Sequence, residues 1–233
     1  MLGVKWEAPL AHLREYIHIL KTLLQTGAIE YEGQWFTARA RIEAPVEVPI
    51  LAATLRKTAY HLAGELADGA ISWLTPVEHI RLMSLQALRA GAAKAGRAPP
   101  PLVLHAPFCL TDDVEVVRQA TRKQFGSSAR RSTYAGLFEE AGYPNVKGEM
   151  SDELIDNLVI YGTQSDVVHR LSKLVGDGVS EVIAHALPTG DLDESAVFAM
   201  IAEANQPRQQ RRSLRQCQKK DGKPDERHSS RLR

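Results

Sequence analysis

Apolar residues along the chain recur in two rhythms. Leu10, Leu13, Ile17, Leu20 and Leu24 return every three or four positions, which lines one face of a helix. Pro9 suits its first turn and Gly27 its stop. Ala28 to Ile42 alternates weakly around Glu32-Gly33, the pattern of a short hairpin or extended excursion. From residue 48 the rhythm changes to short, wholly apolar runs separated by helical stretches. Val48 to Ala53 reads as a strand, and Ala59, Leu62, Ala63 and Leu66 share the face of a helix that Asp68-Gly69 ends. Ala70 to Leu74 is a second strand, and Thr75-Pro76 opens a helix carrying Val77, Ile80, Ser84, Ala87, Leu88 and Gly91 on one side. Leu102 to Ala106 is a third strand. Strand and helix in alternation, with strands apolar throughout, predict parallel βα units whose sheet is covered by helices.

Residues 111–158 read as irregular helix, started at Asp112-Asp113 and broken at Gly142-Tyr143-Pro144-Asn145. Thr163 with Asp166 three residues on matches a capping box, ahead of Val167, Leu171, Leu174 and Val175. Gly176-Asp177-Gly178 closes that helix, Val179 to Ala186 gives a fourth strand, and Glu194 to Ala204 a last helix. The strands therefore fall near 49–53, 70–74, 102–106 and 181–186.

Composition narrows the class. The 233 residues are 44% hydrophobic and 24% charged, as in an ordinary globular protein. No apolar run approaches the ~20 residues of a spanning helix, so no membrane partner is expected. Two cysteines, Cys109 and Cys217, are too few for a disulfide framework or a zinc site, which favours a reduced, cytoplasmic setting. Charge is uneven. Residues 207–233 hold ten Lys/Arg and three Asp/Glu, so a tail of net +7 follows a body of net −6. With only Leu214 and Leu232 to bury, that tail is expected to be disordered. Its charge attracts polyanions through counterion release. It has no aromatic residue for base stacking, so no specific nucleic-acid partner is expected.

Several stretches, in order, resemble one family. Pro49-Ile50-Leu51-Ala52-Ala53 leads through Leu62-Ala63-Gly64-Glu65-Leu66-Ala67-Asp68-Gly69-Ala70. Before it stand Leu13-Arg14-Glu15-Tyr16-Ile17 and Tyr31-x-Gly33-x-x-Phe36, and after it Gly91-Ala92-x-x-Ala95-Gly96-Arg97. Tyr161-Gly162-Thr163 and Gly178-Val179-x-Glu181-Val182 complete the set. Over about residues 9–205 the chain resembles the flavin-dependent luciferase-like monooxygenases, which include oxidoreductases that use the deazaflavin coenzyme F420. The resemblance implies an α/β fold, a (β/α)8 TIM barrel, of which this chain carries about four parallel βα units. Family chains usually place about four more ahead of the Leu13-Arg14-Glu15-Tyr16 helix. The expected organisation is thus a partial barrel over 1–206 and a basic tail over 207–233. The tail does not resemble the family's ending.

The turn Ala53-Thr54-Leu55-Arg56-Lys57-Thr58 is the candidate cofactor site. A helix start at the carboxyl end of a parallel strand presents free N–H groups and the positive end of its dipole to an anion. Thr54 and Thr58 add hydroxyls, and Arg56 and Lys57 add charge suited to a phosphate. The resemblance implies that this turn receives the cofactor phosphate of FMN or F420. The family's usual Gly-Pro pair is replaced here by Leu55-Arg56. A plain helix start, with Thr54 as cap and Arg56-Lys57 exposed, explains the same residues. Gly162-Thr163 and Leu187-Pro188-Thr189-Gly190 are second-ranked phosphate loci. His105 and His185 lie in predicted strands and His61 in a helix. His185 is a candidate for contact with substrate or flavin, against the alternative of a packed histidine. His12, His18, His79 and His169 read as surface helix residues. Trp73 is a candidate wall for a flavin or substrate pocket, against a core aromatic. Cys109 reads as a buried thiol, and no spacing matches a metal site, a nucleophilic triad or a nucleotide loop.

The leading expectation is a flavin- or F420-dependent oxidoreductase or monooxygenase acting on a small molecule. The alternative is a non-catalytic barrel remnant that buries its two open sheet edges against a second copy or a partner half-barrel.

Overall fold

The computed structural model describes residues 7–144 and 148–189, together with Val197, Ala199 and Ala202, which are helical. The rest of the helix expected over Glu194–Ala204, Gly190 and the tail from Pro207 lie outside the described residues. Helix α1 (Pro9–Thr26) runs as expected to Gly27, whose φ of 80° ends it. Strands β1 (Ala28–Glu32) and β2 (Thr37–Arg41) then form an antiparallel hairpin.

The hairpin is tied back to α1 by one carboxylate. Glu15 accepts the backbone N–H groups of Gln34, Trp35 and Phe36, each at 3.0 Å. A Cβ on Gly33 would stand 2.4 Å from that carboxylate and 2.5 Å from the Tyr31 ring, so any side chain there would push both aside. Glu15→Ala is expected to cost about 2 kcal/mol, since it strands three donors of a charge-assisted cluster. Urea denaturation measures it, and an unchanged midpoint would show that the hairpin holds itself in place.

The main sheet is built from β3 (Leu51–Thr54), β4 (Gly69–Ser72), β5 (Leu102–Cys109) and β7 (Glu181–Ala186), all parallel and adjacent in that order. Three of the four expected strands shift at an end, and β5 continues to Cys109. A two-residue strand, β6 (Ile160–Tyr161), pairs with Phe108 and Cys109; the sequence reading placed no strand there. Phe108 is also paired with Ala186 of β7, so β6 and β7 occupy opposite edges of β5. The short strand therefore takes over the edge that β4 leaves at Ser72 and Leu104.

Helices α2 (Lys57–Leu66), α4 (Leu85–Lys94) and α8 (Gln164–Gly176) cover one face of the sheet. Ala52, Ala70, Leu102, Leu104, Ala106 and Phe108 point into that layer with Tyr60, Leu88, Val167 and Leu171. α2 and α4 meet backbone to backbone. A Cβ on Gly64 would lie 2.0 Å from the Leu88 carbonyl oxygen, and one on Gly91 1.9 Å from that of His61. Ahead of α4, a three-residue turn α3 (Val77–His79) passes into a wider π-helical turn over Ile80–Ser84.

Between β5 and β6 the chain makes α5 (Val114–Ala129), α6 (Ser132–Glu140) and α7 (Asp152–Leu158). Asp113 caps α5 by accepting from Glu115 and Val116, and Ser151 caps α7. These helices form a second core with Leu74, Cys109, Phe125, Leu137, Phe138 and Leu187. Leu74 and Cys109 stand at the carboxyl ends of β4 and β5, so this core roofs that rim of the sheet. No helix among the described residues is long and apolar enough to cross a membrane.

Candidate functional site

Side chains alternate across a strand, and parallel register carries the alternation through the sheet. With Ala52, Thr54, Ala70, Leu102 and Leu104 turned to the helices, the opposite face receives Ala53, Ile71, Val103 and Glu181 in one layer. The next layers bring His105 beside Ile183 and Pro107 beside His185. This is the face that would line the interior of a closed barrel. Ala53 and Glu181 are exposed on it, as is Ile183.

At its carboxyl end four rings meet. Trp73 stacks on His105 with centroids 3.6 Å apart and planes 13° from parallel. His105 Nε2 and His185 Nδ1 are 3.0 Å apart, so one ring donates to the other. Phe125 of α5 sets its edge against both histidines, at 5.7 and 5.4 Å. His105 is 1% exposed, and its Nδ1 has no partner among the described residues. Burial, reinforced by the neighbouring His185, pushes the His105 imidazolium down to about 4, so the ring is neutral near pH 7. Trp73 keeps 38% of its surface exposed.

A buried hydroxyl chain holds Trp73 from behind. Tyr60 donates to Ser72 Oγ at 2.6 Å, Ser72 to Thr75 Oγ1 at 2.7 Å, and Thr75 to the Trp73 carbonyl at 3.3 Å. The next residue, Leu74, sits at φ 49° and is fully buried. A left-handed leucine costs energy; here the bend lets the strand end turn Trp73 towards the histidines while Leu74 enters the roof core.

The turn at Ala53–Thr58 lies at the same rim, where β3, β4 and β5 all end. Its residues diverge. The Thr54 hydroxyl is 1% exposed and donates to the Ile71 carbonyl at 3.2 Å. Leu55 packs against the roof core. Arg56 precedes α2, and its guanidinium is held by Glu140 at the end of α6, Nε to Oε1 at 2.7 Å. Lys57 points to a cavity shared with His79 and Glu140, and Thr58 to a separate hollow with Arg14, Trp35 and Lys94. The start of α2 has no side-chain cap. At the second-ranked locus, Thr163 and Asp166 form the full capping box, so the start of α8 is already filled by its own carboxylate. Leu187 N–H is taken by the Phe108 carbonyl.

Three features escaped the sequence reading. The contact of His105 with His185 follows from β5–β7 register, which no single strand pattern fixes. Phe125 was one apolar residue in an irregular helical stretch. His79, expected at the surface, is 8% exposed: it lies on the buried side of α3 against the α6 end. Burial pushes its imidazolium pKa down, opposed by the charge of Glu140. Cys109 is buried as expected, which pushes its thiol up to about 11. Among the described residues no cluster of His, Cys, Asp or Glu could hold a metal ion.

The chain is 27% identical over 207 residues to a 5,10-methylenetetrahydromethanopterin reductase of Archaeoglobus fulgidus, covering 78% of this chain and 62% of that protein. It thus spans less than two thirds of that relative's length. In fold it is similar to an F420-dependent secondary alcohol dehydrogenase solved with an F420–acetone adduct, at a TM-score of 0.69 and 13% identity over 89% of this chain and 66% of that one. It is also similar to the oxygenating constituent of 3,6-diketocamphane monooxygenase of Pseudomonas putida, solved with FMN, at a TM-score of 0.50 and 14% identity over 81% and 59%. The profile of the luciferase-like monooxygenases matches residues 1–181, and with its parallel βα sheet the chain belongs to that family.

Proposed function

We propose that the chain binds a reduced flavin or deazaflavin, FMN or coenzyme F420, and serves oxidation or reduction of a small-molecule substrate. The observation that carries this reading is the Trp73–His105–His185 cluster, built at the carboxyl ends of parallel strands on the face away from the helices. Its features fit a tricyclic heteroaromatic ring. Trp73 offers an exposed aromatic surface, and the half-buried His185 stands edge-on to it. The uncapped start of α2 fits the phosphate, with Lys57 as a cation that has no ion-pair partner among the described residues and Arg56 available where the phosphate displaces Glu140.

When bound, such a cofactor supplies the hydride or oxygen chemistry itself. The chain's residues bind and orient. Trp73 walls the ring, and the hydroxyl chain from Tyr60 holds its backbone. The hydrogen bond between the rings couples their tautomers: where His105 Nε2–H donates, His185 carries its own proton at Nε2. His185 can then donate a hydrogen bond, or hold a proton, at its other nitrogen.

Titration with FMN and with F420, followed by cofactor and tryptophan fluorescence, tests the reading. Trp73→Ala is expected to weaken binding about tenfold to a hundredfold, the loss typical of a missing stack on a heteroaromatic ring. Unaltered fluorescence at saturating levels of both cofactors would sink it. A second reading rests on the sheet edges: among the described residues β3 and β7 each have one unpaired side. A chain that binds neither cofactor and runs as a dimer by light scattering would favour a remnant closed by a second copy.

A further inference from the structure

The start of α2 shares its surroundings with a carboxylate from a distant element. Glu140, at the end of α6, accepts from Arg56 Nε at 2.7 Å and also from Arg56 Nη2. The guanidinium lies against α6 where that helix has no side chain: a Cβ on Gly136 would stand 3.2 Å from Arg56 Nη1. Glu140 also lines the hollow that takes Lys57. One carboxylate thus faces both cations of the α2 start. Counting Arg56 and Lys57 against Glu140 leaves a single net positive charge there. Its neighbour Glu139 acts on Arg56 through space and lowers that balance further. Glu78, in the same hollow, faces Arg81 at 3.5 Å.

We propose that Glu140 sets cofactor choice, admitting a phosphate diester, as in coenzyme F420, and disfavouring the phosphate monoester of FMN. The inference rests on the reading that the cofactor phosphate meets the start of α2. A monoester is close to a dianion above neutral pH, since its second pKa is about 6, whereas a diester is a monoanion. One net positive charge matches the diester and leaves the monoester with a negative charge unmatched. Breaking the Arg56–Glu140 pair costs either ligand the same, so the discrimination lies in charge. Glu140 stays tethered to the end of α6, and a phosphate that takes Arg56 still meets its carboxylate. That repulsion scales with the charge of the ligand.

Dissociation constants for FMN, F420 and riboflavin, measured by fluorescence on the full chain and its Glu140→Gln variant, provide the test. A pH of about 8 keeps the monoester ionised. The variant should bind FMN about tenfold more tightly and F420 only about threefold more tightly, as charge scaling requires. Riboflavin, which has the ring but no phosphate, should bind both proteins alike. Glu140→Asp keeps the charge and shortens the reach, so its FMN affinity should stay near that of the unaltered chain. Equal gains for FMN and F420, a gain shared by riboflavin, or an aspartate variant that behaves like the glutamine one would each overturn the assignment while leaving the flavin reading in place. Failure of all three compounds to bind either protein would remove that reading, and this inference with it.

Discussion

Gly64→Ala is expected to lower stability by about 3 kcal/mol, the upper end of the cost of forcing a methyl into a packed contact. In an exposed helix the same change gains about 1 kcal/mol, because glycine has the poorer helix propensity. Here the sign reverses. The new Cβ would stand 2.0 Å from the Leu88 carbonyl oxygen and 2.9 Å from the Ala92 nitrogen. Both are backbone atoms, so no rotamer change relieves the clash and α2 must move off α4. Gly126 of α5 is the internal control: nothing lies within 4 Å of its would-be Cβ, and Gly126→Ala should be neutral or stabilising. Thermal unfolding of the two variants checks the pair, with a fall of roughly 10 °C expected for Gly64→Ala. Equal midpoints would mean that the two helices are not in backbone contact.

Acidification should destabilise the chain through His105. Its ring titrates near 6.5 when unfolded and is pushed to about 4 when folded. Between those values the unfolded chain binds a proton that the folded chain does not, so stability rises with pH across the window. The contribution is fully present above about 6.5 and is lost as pH falls through about 4. A shift of this size corresponds to about 3 kcal/mol. The groups around the ring are His185, Trp73 and Phe125, none of them a carboxylate able to stabilise the imidazolium. His105→Phe should flatten the loss between pH 6.5 and 4 in urea melts recorded across pH. An identical acid limb in that variant would locate the titration elsewhere.

Much of the fold was legible because its signals are local. Pro9 and Gly27 bound α1, the wholly apolar runs marked the four parallel strands, and Thr163 with Asp166 announced a cap that forms as read. The family stretches also have physical causes here. Gly33 makes room for Glu15, and Gly64 and Gly91 let two helices touch. What stayed hidden depends on pairing at a distance. β6 has only two residues and exists because Phe108 and Cys109 extend beyond β4. Trp73 and His185 were individually visible as candidates, but their junction through His105 needs the register of three strands. Arg56 carried the charge of a phosphate ligand, yet nothing near it in sequence foretold Glu140, 84 residues on. His79 belongs to a helix whose buried side is set by the wide turn after it, and a regular 3.6-residue count puts it on the wrong face.

That wide turn has an evolutionary reading. A π-helical turn is what an α-helix becomes when it absorbs one extra residue without breaking. Each residue advances an α-helix by about 100°, so the insertion puts the stretch before Ile80 out of phase with the stretch after Ser84. The Gly91 side keeps its docking on α2, while His79 swings round to address α6. A single codon gained or lost between 80 and 84 would thus re-aim His79 without disturbing the scaffold that carries it.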